Sequence, residues 1–430
     1  MRVDLVAPPM AGHLHPALGV AARLAREPGV DVRVISTPGA RAAVAAAGVP
    51  GLAVLDGADA EVEAIVNPPY PIGSNPVRLS RQFSAALRLQ ARFQRELAGI
   101  WAEQRPDLAI VDFTLPAAGY AAEAAGAGWW TLHASPCAIE ATSGPPAYLG
   151  GLRPGTGPLG RGRDAAGRLL TRGFKRSVHL ATRRRLAALG VTGAYRADGS
   201  EAAYSPDRIL ALTPEAIEFP RRLPPSVRYV GPVLHTPPTT HPVPELTSGR
   251  RHVLVTAGTH LPWHKQTLLD LTATAAAALP HVDLHLSLGT VEPSLRAPRT
   301  LTSSPSNLHI HPYVDYARDL PRFDAVVHHG GSGVLGHTLA AGLPAVVLPV
   351  DYDQFDHAAR LVAAGVAVRP RRQGDLAAAL RTVLDDPAYA RAAARIAAGI
   401  AAAPAVDLIA AEVLQFESAA PRSLPGSTGT

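Results

Sequence analysis

Short apolar runs alternate with longer segments of helical periodicity along the whole sequence, and this alternation narrows the fold more than any other feature. A strand that feeds a helix and then another strand builds a parallel sheet covered on both faces. In the first half the runs fall at 3–7, 32–36, 108–112, 129–134 and 208–212; in the second they fall at 252–258, 282–289, 307–312, 325–331 and 345–350. Between them a proline-rich stretch without period, 235–251, reads as a semi-rigid linker. The chain is therefore expected to be α/β, with two Rossmann-like, doubly wound domains facing each other across a cleft: residues 1–234 and 252–418. Its 430 residues suffice for two cores. The stretch 143–173, rich in Gly, Pro and Arg, reads as a loop insertion, and 419–430 as a disordered tail.

Hydrophobic residues make up 47% and charged residues 18%, the balance of a folded chain rather than a disordered one. The single cysteine, Cys137, excludes an internal disulfide framework and a cysteine-built metal site, and fits a reducing compartment such as the cytoplasm. No signal-peptide core opens the sequence and no apolar stretch of membrane-spanning length is read from it, so neither export nor integral membrane association is expected. A net charge of +6 is compatible with nucleic acid, an anionic membrane surface or an anionic substrate, and does not choose among them. Its densest run, 172–185, lacks the series of interleaved aromatics that base stacking uses and reads as a solvated helix face, so nucleic acid is not expected.

The pattern G-x-G-x-x-G occurs twice. At 155–160 it follows no strand and includes Pro158, which marks a loop coincidence. Gly331, Gly333 and Gly336 instead follow an apolar run and open a helical pattern, the geometry that aims free backbone N–H groups at a phosphate. Asp351, about 20 positions on, keeps open a dinucleotide-binding turn and hence an NAD(P)-dependent oxidoreductase. Against that stand the position of the turn, after a later run of its half, and the two histidines before it. His329 suits hydrogen bonding to an anionic oxygen, and in protonated form would meet charge on a leaving group; His328 suits a bond to a backbone carbonyl.

The segment 328–361 (HHGGSGVLGHTLAAGLPAVVLPVDYDQFDHAARL) resembles the nucleotide-sugar motif of the family 1 glycosyltransferases, especially their bacterial natural-product branch. The resemblance extends to 7–25 (APPMAGHLHPALGVAARLA), to VRYVGPV and VLVTAGT on either side of the linker, and to 309–331. It implies the GT-B fold, a donor held mainly by the C-terminal domain, an acceptor held mainly by the N-terminal one, and inversion at the anomeric carbon without a metal ion or other cofactor. His13 matches the general base and Asp112 the carboxylate that orients it. Imidazole titrates near neutrality and can take the proton of a hydroxyl, so the chemistry agrees. His13 and His15 form an H-x-H, but no further ligands at metal-binding spacing accompany them. Without the resemblance, His13 would pass as a loop histidine and Asp112 as a helix cap.

On the donor side the resemblance implies base stacking on Tyr313 and a backbone contact at Val314. It places Gly258 and Thr259 near the diphosphate together with His329, Gly331, Ser332 and Gly333, and assigns Asp353 and Gln354 to the sugar hydroxyls. Two positions depart from the family pattern: Val334 stands where Ser or Thr is usual, and His337 where many members carry a ribose-binding Glu. Imidazole offers at most one acceptor, so His337 leans the donor towards dTDP, with UDP the alternative. The expected activity is transfer of a hexose or deoxyhexose from such a donor to a small hydroxylated natural product. A catalytically silent binding protein of the same fold is the third alternative, and no oligomeric state follows from the sequence.

Overall fold

The computed structural model describes residues 1–72, 75–289 and 305–416. The expected disordered tail, 419–430, lies outside the described residues. Each half carries one fully parallel sheet. The first contains β1 (Arg2–Val6), β2 (Asp31–Ser36), β3 (Gly51–Ala53), β4 (Leu108–Asp112), β5 (Gly128–His133), β6 (Ile209–Ala211) and β7 (Val227–Tyr229), in the order β3-β2-β1-β4-β5-β6-β7. The second contains β8 (Arg251–Thr256), β9 (Val282–Ser287), β10 (Leu308–His311), β11 (Ala325–His328), β12 (Ala345–Val347) and β13 (Ala367–Val368), in the order β10-β9-β8-β11-β12-β13.

Parallel strands covered on both faces read as unbroken apolar runs, and every residue of β4, β9 and β11 is buried. On one face of the first sheet Leu5, Ile110 and Leu132 pack with Leu18; on the other Val6, Ile35 and Val111 pack with Leu97 and Trp101. In the second, Val253, Leu284 and Val327 pack with Leu269 and Leu380 on one face, and Leu254 and Val326 with Val334 on the other. The order reverses between β1 and β4 in the first sheet and between β8 and β11 in the second, and ligand crevices form at such switch points.

Three features depart from the sequence expectations. The stretch 143–173 is only partly a loop: a 31-residue helix, Gly157–Ala187, begins inside the first glycine pattern, with Pro158 in the first turn, where its missing N–H costs nothing. Leu159, Leu169, Leu170 and Phe174 of that helix face solvent, so its pattern carries no ordinary core stripe. Secondly, the helix Ala405–Leu414, counted with the second half, returns to the first: Ala405, Ile409, Ala410 and Val413 join the core of Leu18 and Leu24. Thirdly, Pro387–Leu414 is apolar and long enough by composition to cross a membrane. It is divided before Pro404 into helices of 16 and 10 residues, each short of the about 20 needed to span, and each buries a face in a core. Residues 235–250 form neither helix nor strand.

Candidate functional site

The two switch points face each other. At the first, β1 runs through 7–10 into the helix Ala11–Leu24, so His13 stands in a helical first turn rather than in a loop. Asp112 ends β4 on the adjacent strand, and its carboxylate is 2% exposed. The two oxygens lie 2.9 and 3.1 Å from Nδ1 of His13. The N–H of Thr114 at 2.9 Å, and the Thr114 hydroxyl, donate to the same carboxylate, which turns the chain here; the cap of the next helix is Leu115, not Asp112. An ionised carboxylate only accepts, so Nδ1 carries the hydrogen and Nε2 keeps its lone pair.

Burial opposes the charge of His13, but the field of Asp112 and the hydrogen bond to it outweigh burial and raise the pKa above the ordinary 6.5. For Asp112 burial likewise opposes ionisation and is outweighed by His13 and then Thr114, so its pKa is lowered. Phe113 is sandwiched between His13, at 5.4 Å between ring centres, and the buried His133, at 4.2 Å.

At the second switch point the loop after β8 meets the glycine turn after β11. Gly258 has φ of +68°, and a Cβ there would lie 3.2 Å from Cε1 of His329; a Cβ on Gly331 would lie 2.3 Å from Nε2 of the same ring. Glycine at these two places lets backbone close around the imidazole. The helix Ser332–Ala340 has Gly331 as its cap with no side-chain acceptor, leaving first-turn N–H groups free of partners within the helix. Burial first, and then His260, push His329 down to about 4 against the pull of Asp353. Burial thus favours the neutral ring, which can still donate the expected hydrogen bond to an anionic oxygen. His328 differs from expectation, because its Nδ1 accepts from the N–H of Gly330 at 3.1 Å instead of donating to a carbonyl.

Two cavities open on this junction. One, about 750 Å³, is lined by Gly258 and Thr259 of the β8 loop, by Tyr313, by the turn from Gly331 to Val334, and by His337 and Asp353. The other, about 550 Å³, is largely apolar, with Phe83, Leu89, Phe93 and Trp263 in its wall; Gln354 borders it. His13, Phe113, His260, His329 and Asp353 border both. Val314 borders neither, its side chain being packed with Leu320 and Phe323. The amide oxygen of Gln354 accepts from the N–H groups of Val350 and Asp351 at 2.9 and 3.0 Å, so it shapes the loop that carries Asp353. His337 is pushed down to about 4, by burial first, with Asp315 opposing and His235 adding to the shift.

Three residues at the junction escaped the sequence reading. His260 follows the glycine loop directly and is pushed down to about 4 by burial and by His13. The hydroxyl of Ser135, after β5, donates to Asp353 across the cleft. His357 lies beneath, with Nδ1 2.8 Å from the carbonyl of Gly330 and Nε2 3.3 Å from the Ser135 hydroxyl. Burial opposes its protonation, but Cys137 and Asp353 outweigh burial and raise its pKa. Only the glycine-loop neighbourhood of His260 was a local signal.

The dinucleotide alternative requires its glycine turn after the first strand of the sheet, and this turn follows β11, the fourth. The family model of the erythromycin biosynthesis protein CIII-like C-terminal domain matches residues 291–416. The 4'-demethylrebeccamycin synthase of Lentzea aerocolonigenes is 32% identical over 321 residues, covering 70% of this chain and 73% of that protein. Among solved structures, the glycotransferase of kitacinnamycin superposes with a TM-score of 0.73 at 22% identity, covering 96% of this chain and 98% of that one. The glycosyltransferase VinC in complex with dTDP gives 0.66 at 20% identity, covering 96% and 99%.

Proposed function

Because the chain belongs to the family 1 glycosyltransferases, in their bacterial natural-product branch, and is a nucleotide-sugar-dependent glycosyltransferase of the antibiotic-biosynthesis type, we propose that it moves a hexose or deoxyhexose, with inversion, from dTDP to a hydroxyl of a small apolar natural product. The observation that carries this reading is the His13–Asp112 pair at the meeting point of an apolar cavity and a second cavity lined by the glycine turn that opens a helix.

In this scheme the acceptor enters the apolar cavity and presents its hydroxyl to Nε2 of His13. The imidazole takes the proton as the oxygen attacks the anomeric carbon, and Asp112 holds the ring in its tautomer and stabilises the imidazolium. The bond from that carbon to the diphosphate oxygen breaks on the opposite side, so a single displacement inverts the centre. Charge growing on the leaving diphosphate meets the first-turn N–H groups of Ser332–Ala340 and a hydrogen bond from neutral His329. Asp353 accepts from sugar hydroxyls. The base and ribose occupy the wall of Tyr313 and His337, and the free, buried Cys137 fits a cytoplasmic enzyme.

The test is His13→Ala. Donor binding, measured calorimetrically, should stay near wild type, while transfer to an unactivated alcohol falls by about 10²–10⁴-fold, the usual worth of general-base catalysis. Near-native turnover in that variant at neutral pH would remove the assignment.

A further inference from the structure

Cys137, His357 and Asp353 are far apart in sequence, yet Sγ, an imidazole nitrogen and a carboxylate oxygen converge within 4.8 Å of one another. One cysteine cannot build a metal site from sequence spacing alone, and the H-x-H of His13 and His15 is not part of this cluster; the fold instead brings His357 and Asp353 of the second half to Cys137 of the first. Cys137 and His357 are buried, and Asp353 borders both cavities, so the cluster is walled by protein and reached from the cleft. Ser135 Oγ reaches all three, 3.3 Å from Sγ, 3.3 Å from Nε2 of His357, and hydrogen-bonded to Asp353.

The ligand types and their support match a thiophilic cation. Around a tetrahedral zinc ion the ligand atoms stand roughly 3.3–3.8 Å apart, so binding would draw these three closer together and turn Ser135 Oγ towards the ion. A metal-bound histidine characteristically donates its other N–H to a carbonyl or carboxylate, and Nδ1 of His357 faces the Gly330 carbonyl at 2.8 Å, which turns Nε2 towards the cluster. Thiolate and imidazole select zinc over magnesium or calcium, and thiolate plus carboxylate balance its charge.

We propose that Cys137, His357 and Asp353 bind a zinc ion, with the Ser135 hydroxyl or a water as fourth ligand, and that this ion inhibits the enzyme. It would tie the segment after β5 to the helix Gln354–Ala363, joining the two sides of the cleft. It would also withdraw the Asp353 carboxylate from the donor cavity; this second consequence rests on the assignment of Asp353 to the donor sugar.

Cobalt(II) titration of the full chain reads the site without reference to turnover. With one cysteine in the sequence, a thiolate-to-cobalt charge-transfer band can come only from Cys137. The band should saturate at equimolar cobalt, disappear on adding zinc, and be absent in Cys137→Ser, with Cys137→Ala as a second variant should the first fold poorly. Zinc should raise KM for the nucleotide sugar with kcat little changed, EDTA should reverse this, and Cys137→Ser should be roughly ten-fold or more less sensitive. No band in the wild type, or an equal one in the variants, overturns the site. A cysteine-dependent band without competition against the donor upholds the site and overturns the inhibition and the role given to Asp353.

Discussion

His13 and Asp112 each shift the other's titration, and the directions set two pH effects. The raised His13 pKa stabilises the fold below the unfolded value of 6.5, a contribution lost as pH rises through the folded value; the lowered Asp112 pKa stabilises above 3.8, a contribution lost as pH falls through its folded value. Catalysis needs His13 unprotonated, so kcat should rise with pH along a limb centred above 6.5. Asp112→Asn removes the charge that outweighs burial, so the limb should move to lower pH while turnover drops by about 10²-fold or more through loss of the tautomer. A pH–rate profile of both proteins checks the sign. At His337 the single acceptor of a neutral ring predicts that dTDP competes for the donor cavity better than UDP. His337→Glu should shift that ratio several-fold towards UDP, read by competition binding.

The glycine turn shows at the element scale how backbone makes a binding surface. A methyl group on Gly331 would fall 2.3 Å from Nε2 of His329, and alanine is also a poorer helix cap than glycine. Gly331→Ala should therefore lower the Tm by a few °C and weaken nucleoside diphosphate binding by about ten-fold or more through displacement of the imidazole; calorimetry measures both. Elements of this kind are legible in sequence because a buried parallel strand needs an apolar run and a phosphate turn needs glycine just after it. The edge strands β3, β7 and β13 are two or three residues long and carry no such run. The helix Gly157–Ala187 hid because its apolar side chains face solvent. Ser135 and His357 gave no local signal, since each acquires its role only when β5 and the helix Gln354–Ala363 meet across the cleft.

Over the whole molecule, buried neutral histidines concentrate in and around the cleft and along the second sheet. His252, His285 and His311 form a chain with 3.1 and 3.0 Å between ring nitrogens, and Nε2 of His252 lies 2.9 Å from the Thr247 carbonyl. That carbonyl only accepts, so Nε2 of His252 donates; its Nδ1 must then accept from His285, whose Nδ1 accepts from His311. A proton added to His285 would set two N–H groups head to head. Burial first, then the neighbouring histidines, push His285 down to about 3, and burial similarly holds His133 and His328 at about 3 and His15, His260, His329 and His337 at about 4. For each of these the folded pKa lies below the unfolded 6.5, so between the two values the unfolded chain binds more protons and stability falls as pH falls. His13 and His357, with raised values, act in the opposite sense, but they are outnumbered. The fold should consequently weaken from about pH 6.5 downwards, before carboxylate protonation takes over, with Tm lower by more than about 4 °C at pH 5 than at pH 7. Differential scanning calorimetry across that interval checks it, and a Tm that is flat or rises on acidification would contradict the neutral assignment of these rings.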